Sequence, residues 1–203
     1  MKTSKYKIVT IEREYGSGGN EVGRILSQKL NIPLHDHSIL VEAAKKLDIP
    51  SIYISDLEET SSGSIIFNLS QTSIGGGSNT KNLPMAEQLF RTERDIILNA
   101  ISLEGSGVIV GRCGSEILRD REDCLRIFIY ANRTFRLNRA MEKEHLSQAE
   151  ADSMLVKVDK RRSNFYKTHT GLTWGDPHHF DLCLDSSALG IAETAAIIQQ
   201  IME

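Results

Sequence analysis

Apolar positions along this chain switch repeatedly between two periods. Ile8, Val9 and Ile11 form a compact β-branched run of the kind that a buried parallel strand requires. Val22, Ile25, Leu26 and Leu30 then fall at i, i+3, i+4 and i+8, which is one face of a helix. Further on, residues 32–36 (IPLHD) predict a short second strand ending in a carboxylate, and Ser38 is placed to cap a helix through Leu47. Pro84 to Leu103 reads as a long helix with its proline in the favourable first turn. Residues 108–111 (VIVG) and 125–131 (LRIFIYA) predict buried strands, and 180–185 (FDLCLD) a fifth. Ser147, followed three residues later by Glu150, is a capping box for a helix running towards Lys160. Ile191, Ala195, Ile198 and Met202 mark the apolar face of a last helix. Strand and helix signals that alternate in this way predict an α/β fold: a parallel sheet of about five strands covered by helices on both faces.

One segment breaks the rhythm. Residues 51–82 are rich in Ser, Gly, Asn and Thr with little charge, and too little apolar surface to bury. They predict a flexible insertion, with Gly75 to Gly77 as a hinge. The remaining composition narrows the setting. A chain of 203 residues suits a single domain over 1–203. A net charge of −3 argues against a nucleic-acid partner. No apolar run approaches the ~20 residues of a membrane helix, and the basic N-terminus lacks an apolar signal core. Cys113, Cys124 and Cys183 are odd in number and widely spaced, the usage of a reduced, cytoplasmic protein, and they form no metal-ligand pair. Asp176, His178 and His179 are split by Pro177 and read as a loop, not as a metal site.

The chemistry concentrates in residues 13–21. Gly16, Gly18 and Gly19 crowd into four positions between the first strand and the first helix. A turn of this kind presents backbone N–H groups and the positive end of a helix dipole to one point, which suits a phosphate. The stretch departs from the P-loop pattern G-x-x-x-x-G-K-[ST] in three places. Arg13 stands where the first glycine would be, Gly19 where the lysine would be, and Asn20 at the hydroxyl position, with Glu21 after it. In open α/β sheets ligands gather at the carboxyl ends of the strands, where the turn, Asp36, Arg112 and the insertion all fall. Arg112 directly follows a buried strand, where a bare charge is costly unless paired. Asp36 suits either a helix N-cap or a ligand contact, and the two are compatible. Arg133, Arg136 and Arg139 recur at a spacing of three; Arg136 and Arg139 read as a solvated helix face.

Taken together, REYGSGG (13–19), HDHSI (35–39), VIVGR (108–112) and VDKRR (158–162) resemble the cytidylate kinase-like family, a branch of the P-loop nucleoside monophosphate kinases. The resemblance covers nearly the whole chain, with 51–82 its loosest part. It implies a three-layer P-loop NTPase-type fold with a helical lid around 133–175, and transfer of the ATP γ-phosphoryl group to a (d)CMP-like acceptor with Mg²⁺ bridging the phosphates. It implies that Arg13, Gly16, Ser17, Gly18, Gly19, Asn20 and Glu21 hold the nucleotide, with Arg13 replacing the missing lysine. Asp36 and Arg112 would take the acceptor monophosphate, while Arg133, Arg161 and Arg162 would close over the transferred group. Small-molecule nucleotides are then the partners, for a monomer or homodimer. The absent lysine, the absent loop hydroxyl and Val110 where the family carries an aspartate keep two alternatives open: a kinase of another small acceptor, and a nucleotide-binding sensor or scaffold with weak or no catalysis.

Overall fold

The computed structural model describes residues 5–50 and 84–203; the expected insertion over 51–82 lies outside the described residues. The chain runs β1 (Ile8–Arg13), α1 (Gly19–Leu30), β2 (Leu34–His35), α2 (His37–Lys46), α3 (Met85–Glu104) and β3 (Gly107–Val110). It continues with α4 (Gly114–Ile117), β4 (Cys124–Tyr130), α5 (Arg133–Glu144), α6 (Gln148–Thr170), β5 (Leu182–Asp185), α7 (Ser186–Leu189) and α8 (Ile191–Met202). The five strands form one sheet in the order β2-β3-β1-β4-β5, and every pairing is parallel. The chain leaves β1 for β2 and β3 on one side, then adds β4 and β5 on the other. The topological switch point therefore lies at β1.

Side-chain alternation along β1 divides the core. Val9 and Ile11 join Val108, Val110, Leu125, Ile127 and Ile129 under α1 and α8, through Val22, Leu26, Ala195 and Ile198. Ile8 and Ile109 turn to the opposite face and pack on Ile39, Leu40 and Ala43 of α2 and Ile97 and Ile101 of α3. Leu26 is fully buried, so Leu26→Ala would cost about 2–5 kcal/mol. A third cluster, Cys113, Phe128, Phe165, Tyr166 and Phe180, seats α6 against the end of the sheet. A smaller one joins Ala140 of α5 to Ala151 and Leu155 of α6, with Tyr15 packed against it.

Local chemistry explains where the elements begin and end. The Ser147–Glu150 capping box is formed, but α6 continues ten residues past Lys160 to Thr170, because nothing interrupts it before Gly171 takes a left-handed φ of 75°. Asp36, not Ser38, is the N-cap of α2 and accepts from the Ser38 amide at 3.4 Å. Pro84 is the residue before α3, not its first turn. β2 is two residues long, shorter than the pattern at 32–36 suggests. No helix among the described residues is long and apolar enough to cross a membrane.

Candidate active site

The carboxyl end of β1 feeds a five-residue turn into α1, and both glycines that need it have left-handed backbone: Gly16 with φ 77° and Gly18 with φ 84°. A side chain is strained at both, and at Gly16 the backbone of a neighbouring helix also blocks it. A Cβ on Gly16 would lie 2.7 Å from the Arg136 carbonyl oxygen, and one on Gly18 would lie 2.6 Å from Ile191 Cδ1. Ser17 is buried and structural; its hydroxyl donates to the Glu14 carbonyl at 2.8 Å, and its own carbonyl accepts from Ser186 Oγ at 2.6 Å. The amides of Gly16, Gly18, Gly19 and Asn20 donate to no protein acceptor among the described residues. They stand at the positive end of a twelve-residue helix, an arrangement that binds anions.

The lysine position shows why it is empty. Gly19 does not have a positive φ; what blocks it is the stem of Arg13, since a Cβ there would lie 2.6 Å from Arg13 Cβ and 2.8 Å from Arg13 Cγ. A P-loop has glycine at the first position and lysine at the seventh, and here the bulky cation has changed places with the glycine. The Arg13 guanidinium runs on across the sheet edge towards β3, so that a Cβ on Gly111 would meet its Nη1 at 2.5 Å. Its Nε donates to Asn20 Oδ1 at 2.9 Å, and its carbonyl accepts from Arg162 Nη1 at 2.9 Å. Arg13 is only 6% exposed.

Over the turn lies a cavity of about 160 Å³, lined among others by Arg13, Gly18, Asn20, Arg139, Lys143 and Arg162. It falls below the ~300–1,000 Å³ of ordinary ligand pockets and matches a phosphate chain better than a whole nucleotide. Glu21 pairs with both Arg139 and Lys143 at its mouth. Beside it, Asp159 of α6 accepts from the Tyr15 amide at 2.8 Å and pairs with Arg136, which also donates to the Tyr15 carbonyl at 3.3 Å. Glu14 completes this staple through Arg136 Nε at 3.4 Å and the Ala131 amide at 3.1 Å. Burial pushes the Glu14 carboxyl above its ordinary range, against the lowering effect of that amide and of Arg136.

The residues expected from the sequence therefore divide. Arg13, Gly16, Gly18, Gly19, Asn20, Glu21 and Arg162 line one cavity. Arg133 does not; it is 64% exposed and pairs with Asp152. Arg161 is half-buried on α6, away from the cavity lining. Asp36 caps α2 at the far edge strand. Arg112 follows Gly111 in a turn where Gly111, Arg112 and Cys113 all have φ between 54° and 74°. Its buried guanidinium meets the buried Glu93 carboxylate of α3 at 3.1 Å and lies over the Phe165 ring at 5.8 Å. Arg136 and Arg139 correct the expectation of a solvated face: their side chains are 13% and 20% exposed and hold the turn. With Lys143 they form a stripe at i, i+3 and i+7, a signal present in the sequence, whereas Glu14, Tyr15 and Asp159 lie inside the REYGSGG and VDKRR segments without any pattern that singles them out.

The sequence profile of the cytidylate kinase-like family matches residues 8–188. The chain belongs to that family. No curated protein matches it. Among solved structures, a protein from Eubacterium ventriosum described as uncharacterized is 26% identical, covering 96% of this chain and 97% of its own, with a TM-score of 0.72. Shikimate kinase from Bacteroides thetaiotaomicron is 11% identical over 96% of this chain and 97% of its own, with a TM-score of 0.53. Shikimate kinase from Acinetobacter baumannii, in complex with shikimate, is 16% identical over 98% and 94%, with a TM-score of 0.51. The two kinases share their fold with this chain, whose described strands form one five-stranded parallel sheet.

Proposed function

We propose that this family member is an ATP-dependent phosphotransferase whose acceptor is a nucleoside monophosphate of the (d)CMP kind. The observation that carries the reading is the exchange of Arg13 for the lysine. The exchange keeps a cation beside four unengaged amides at a helix N-terminus while leaving the backbone of the turn intact. Phosphoryl transfer asks chiefly for positioning and for positive charge around a spreading negative one. Arg13 reaches from the turn at Gly19 to Gly111 at the end of β3, so in this reading it would serve both a donor and an acceptor phosphate. Arg139, Lys143 and Arg162 add charge to the same cavity. When phosphates enter, they replace the Glu21 carboxylate as the partner of Arg139 and Lys143.

Asn20 and Glu21 line the cavity with hard oxygens of the type magnesium takes; they would serve it once Glu21 leaves Arg139 and Lys143, with phosphates supplying most of the remaining shell. When bound it would act as a Lewis acid on the phosphate oxygens. Among the described residues no group of three or more His, Cys, Asp or Glu gathers into an all-protein metal cage. For the acceptor, Arg112 would exchange the Glu93 carboxylate for a phosphate, a bidentate match for a guanidinium. Asp36 would contribute from the second strand. Arg133 and Arg161 would reach the transferred group only through movement of α5 and α6, the lid of this reading.

A second reading, a nucleotide-binding sensor, is favoured by the closed Glu21–Arg139–Lys143 cluster, which occupies the cations that catalysis needs. A coupled ADP-release assay with ATP, magnesium and a panel of nucleoside monophosphates separates the two. Turnover with cytidine monophosphates supports the kinase. ATP binding without turnover on any acceptor assigns the sensor.

A further inference from the structure

Next to the phosphate turn, on the sheet face that α6 covers, lies a second pocket of about 460 Å³, walled by Phe128, Tyr130, Trp174, Pro177 and Cys183. Its size is that of a small-molecule site, and its walls are apolar for the larger part, with aromatic rings and a few polar groups among them, which is the usual make-up of one. Phe128 and Trp174 meet edge to face at 5.2 Å, and Phe128 and Phe180 at 5.2 Å, so the walls are braced by ring contacts. Gly175, with φ 78°, brings the backbone against Phe128; a Cβ there would lie 3.1 Å from the ring. Tyr130 is exposed at the rim, a large apolar surface left open to solvent.

The one charged residue of this pocket is Glu14, which also lines the phosphate cavity. Its Oε2 is engaged by the Ala131 amide and Arg136, while no protein donor meets Oε1 among the described residues. A flat ring between aromatic walls, with a hydrogen-bond donor on its edge for the free carboxylate oxygen, matches these walls and that oxygen. We propose that this pocket is a nucleobase subsite, and that Glu14 selects rings bearing an exocyclic amino group, as adenine and cytosine do, over their keto counterparts. The identity of the ring rests on the nucleotide reading above; the shared Glu14 wall places the base next to the phosphates of the same ligand.

Trp174 is the sole tryptophan of the chain and a wall of the pocket, so its fluorescence reports occupancy. Free nucleosides test the pocket without the phosphate turn, and tripolyphosphate tests the turn without the pocket. Adenosine and cytidine should perturb Trp174 emission at millimolar concentration, with inosine and uridine about tenfold weaker, the worth of one hydrogen bond to a charged acceptor. Glu14→Gln should narrow that preference, because an amide can donate to a keto oxygen where a carboxylate cannot; a merely structural role for Glu14 would lower all four affinities together. Equal affinities for amino and keto nucleosides, or nucleoside binding seen by calorimetry with unchanged Trp174 emission, would overturn the proposal. Failure of tripolyphosphate alone to bind would count against the phosphate turn and leave the nucleoside result to decide the pocket.

Discussion

If Arg13 and Gly19 have exchanged places with the glycine and lysine of a P-loop, the exchange must be reversible only as a pair. Gly19→Lys alone puts a Cβ 2.6 Å from Arg13 Cβ and 2.8 Å from Cγ. Overpacking of this kind costs about 1–3 kcal/mol, or roughly 2–12 °C in Tm for a domain of this length. Arg13→Gly alone loses the Nε bond to Asn20 at 2.9 Å, worth about 1.5–3 kcal/mol for a charged donor. The double variant Arg13→Gly/Gly19→Lys removes the clash, so it should be more stable than the sum of the two singles by about 1–3 kcal/mol. Arg13→Ala is the discriminating control. It keeps the Cβ that makes the closer contact, so Arg13→Ala/Gly19→Lys should recover much less than the glycine pair. Urea unfolding of the single and double variants yields both coupling energies. Single-variant effects that add within ~0.5 kcal/mol, the level expected of independent sites, would refute the reciprocal exchange.

Other outcomes follow from the same structure. Gly16→Ala should lower the Tm and weaken ATP binding together, since a left-handed φ of 77° and a carbonyl oxygen 2.7 Å from the new Cβ both oppose it; an unchanged Tm would show that the turn is looser than drawn. Glu93→Ala should cost about 3–5 kcal/mol in chemical denaturation by stripping the buried Arg112 guanidinium of its carboxylate, and a loss under 1 kcal/mol would mean that water or another group takes its place. Burial against Phe90 and Phe165 holds His169 below its usual pKa of 6.5. The unfolded chain therefore takes up that proton first, and stability present above pH 6.5 declines as the pH falls towards the lowered native value. His169→Gln should flatten this part of the stability profile, and a variant whose profile overlays the parent's would remove His169 as its cause.

The elements that the sequence made legible are those whose partners are near in the chain. Val22, Ile25, Leu26 and Leu30 repeat at the helical period and do form α1, and the Ser147–Glu150 box spans one turn. The pattern at 32–36 overstates β2 because a two-residue strand carries too few positions to show a period. The end of α6 is hard to read in the sequence because charged and apolar residues mix around its surface, and only Gly171 marks the stop. The glycine turn was visible as composition, but the reason for its missing lysine was not. That reason is the contact of Arg13 with Gly19, two residues whose spacing reveals nothing until β1 and α1 are folded against each other. Arg136 and Arg139 read as solvated in the sequence because their partners, Tyr15, Asp159 and Glu21, lie 23 to 121 residues away. Their helical stripe with Lys143 is the clue that the sequence carries. Arg112 was legible as a charge needing a partner, although Glu93, nineteen residues earlier on another element, could not be named.

In the proposed function the Arg13 guanidinium serves as the cation of the phosphate turn. Calorimetric titration of ATP with magnesium into the parent protein and into Arg13→Ala, each first shown to be folded by its thermal transition, tests this most directly. Loss of one charge-assisted contact of about 1.5–3 kcal/mol predicts roughly ten- to hundredfold weaker binding in the variant. A folded Arg13→Ala protein that binds ATP with the parent's Kd would contradict the central claim.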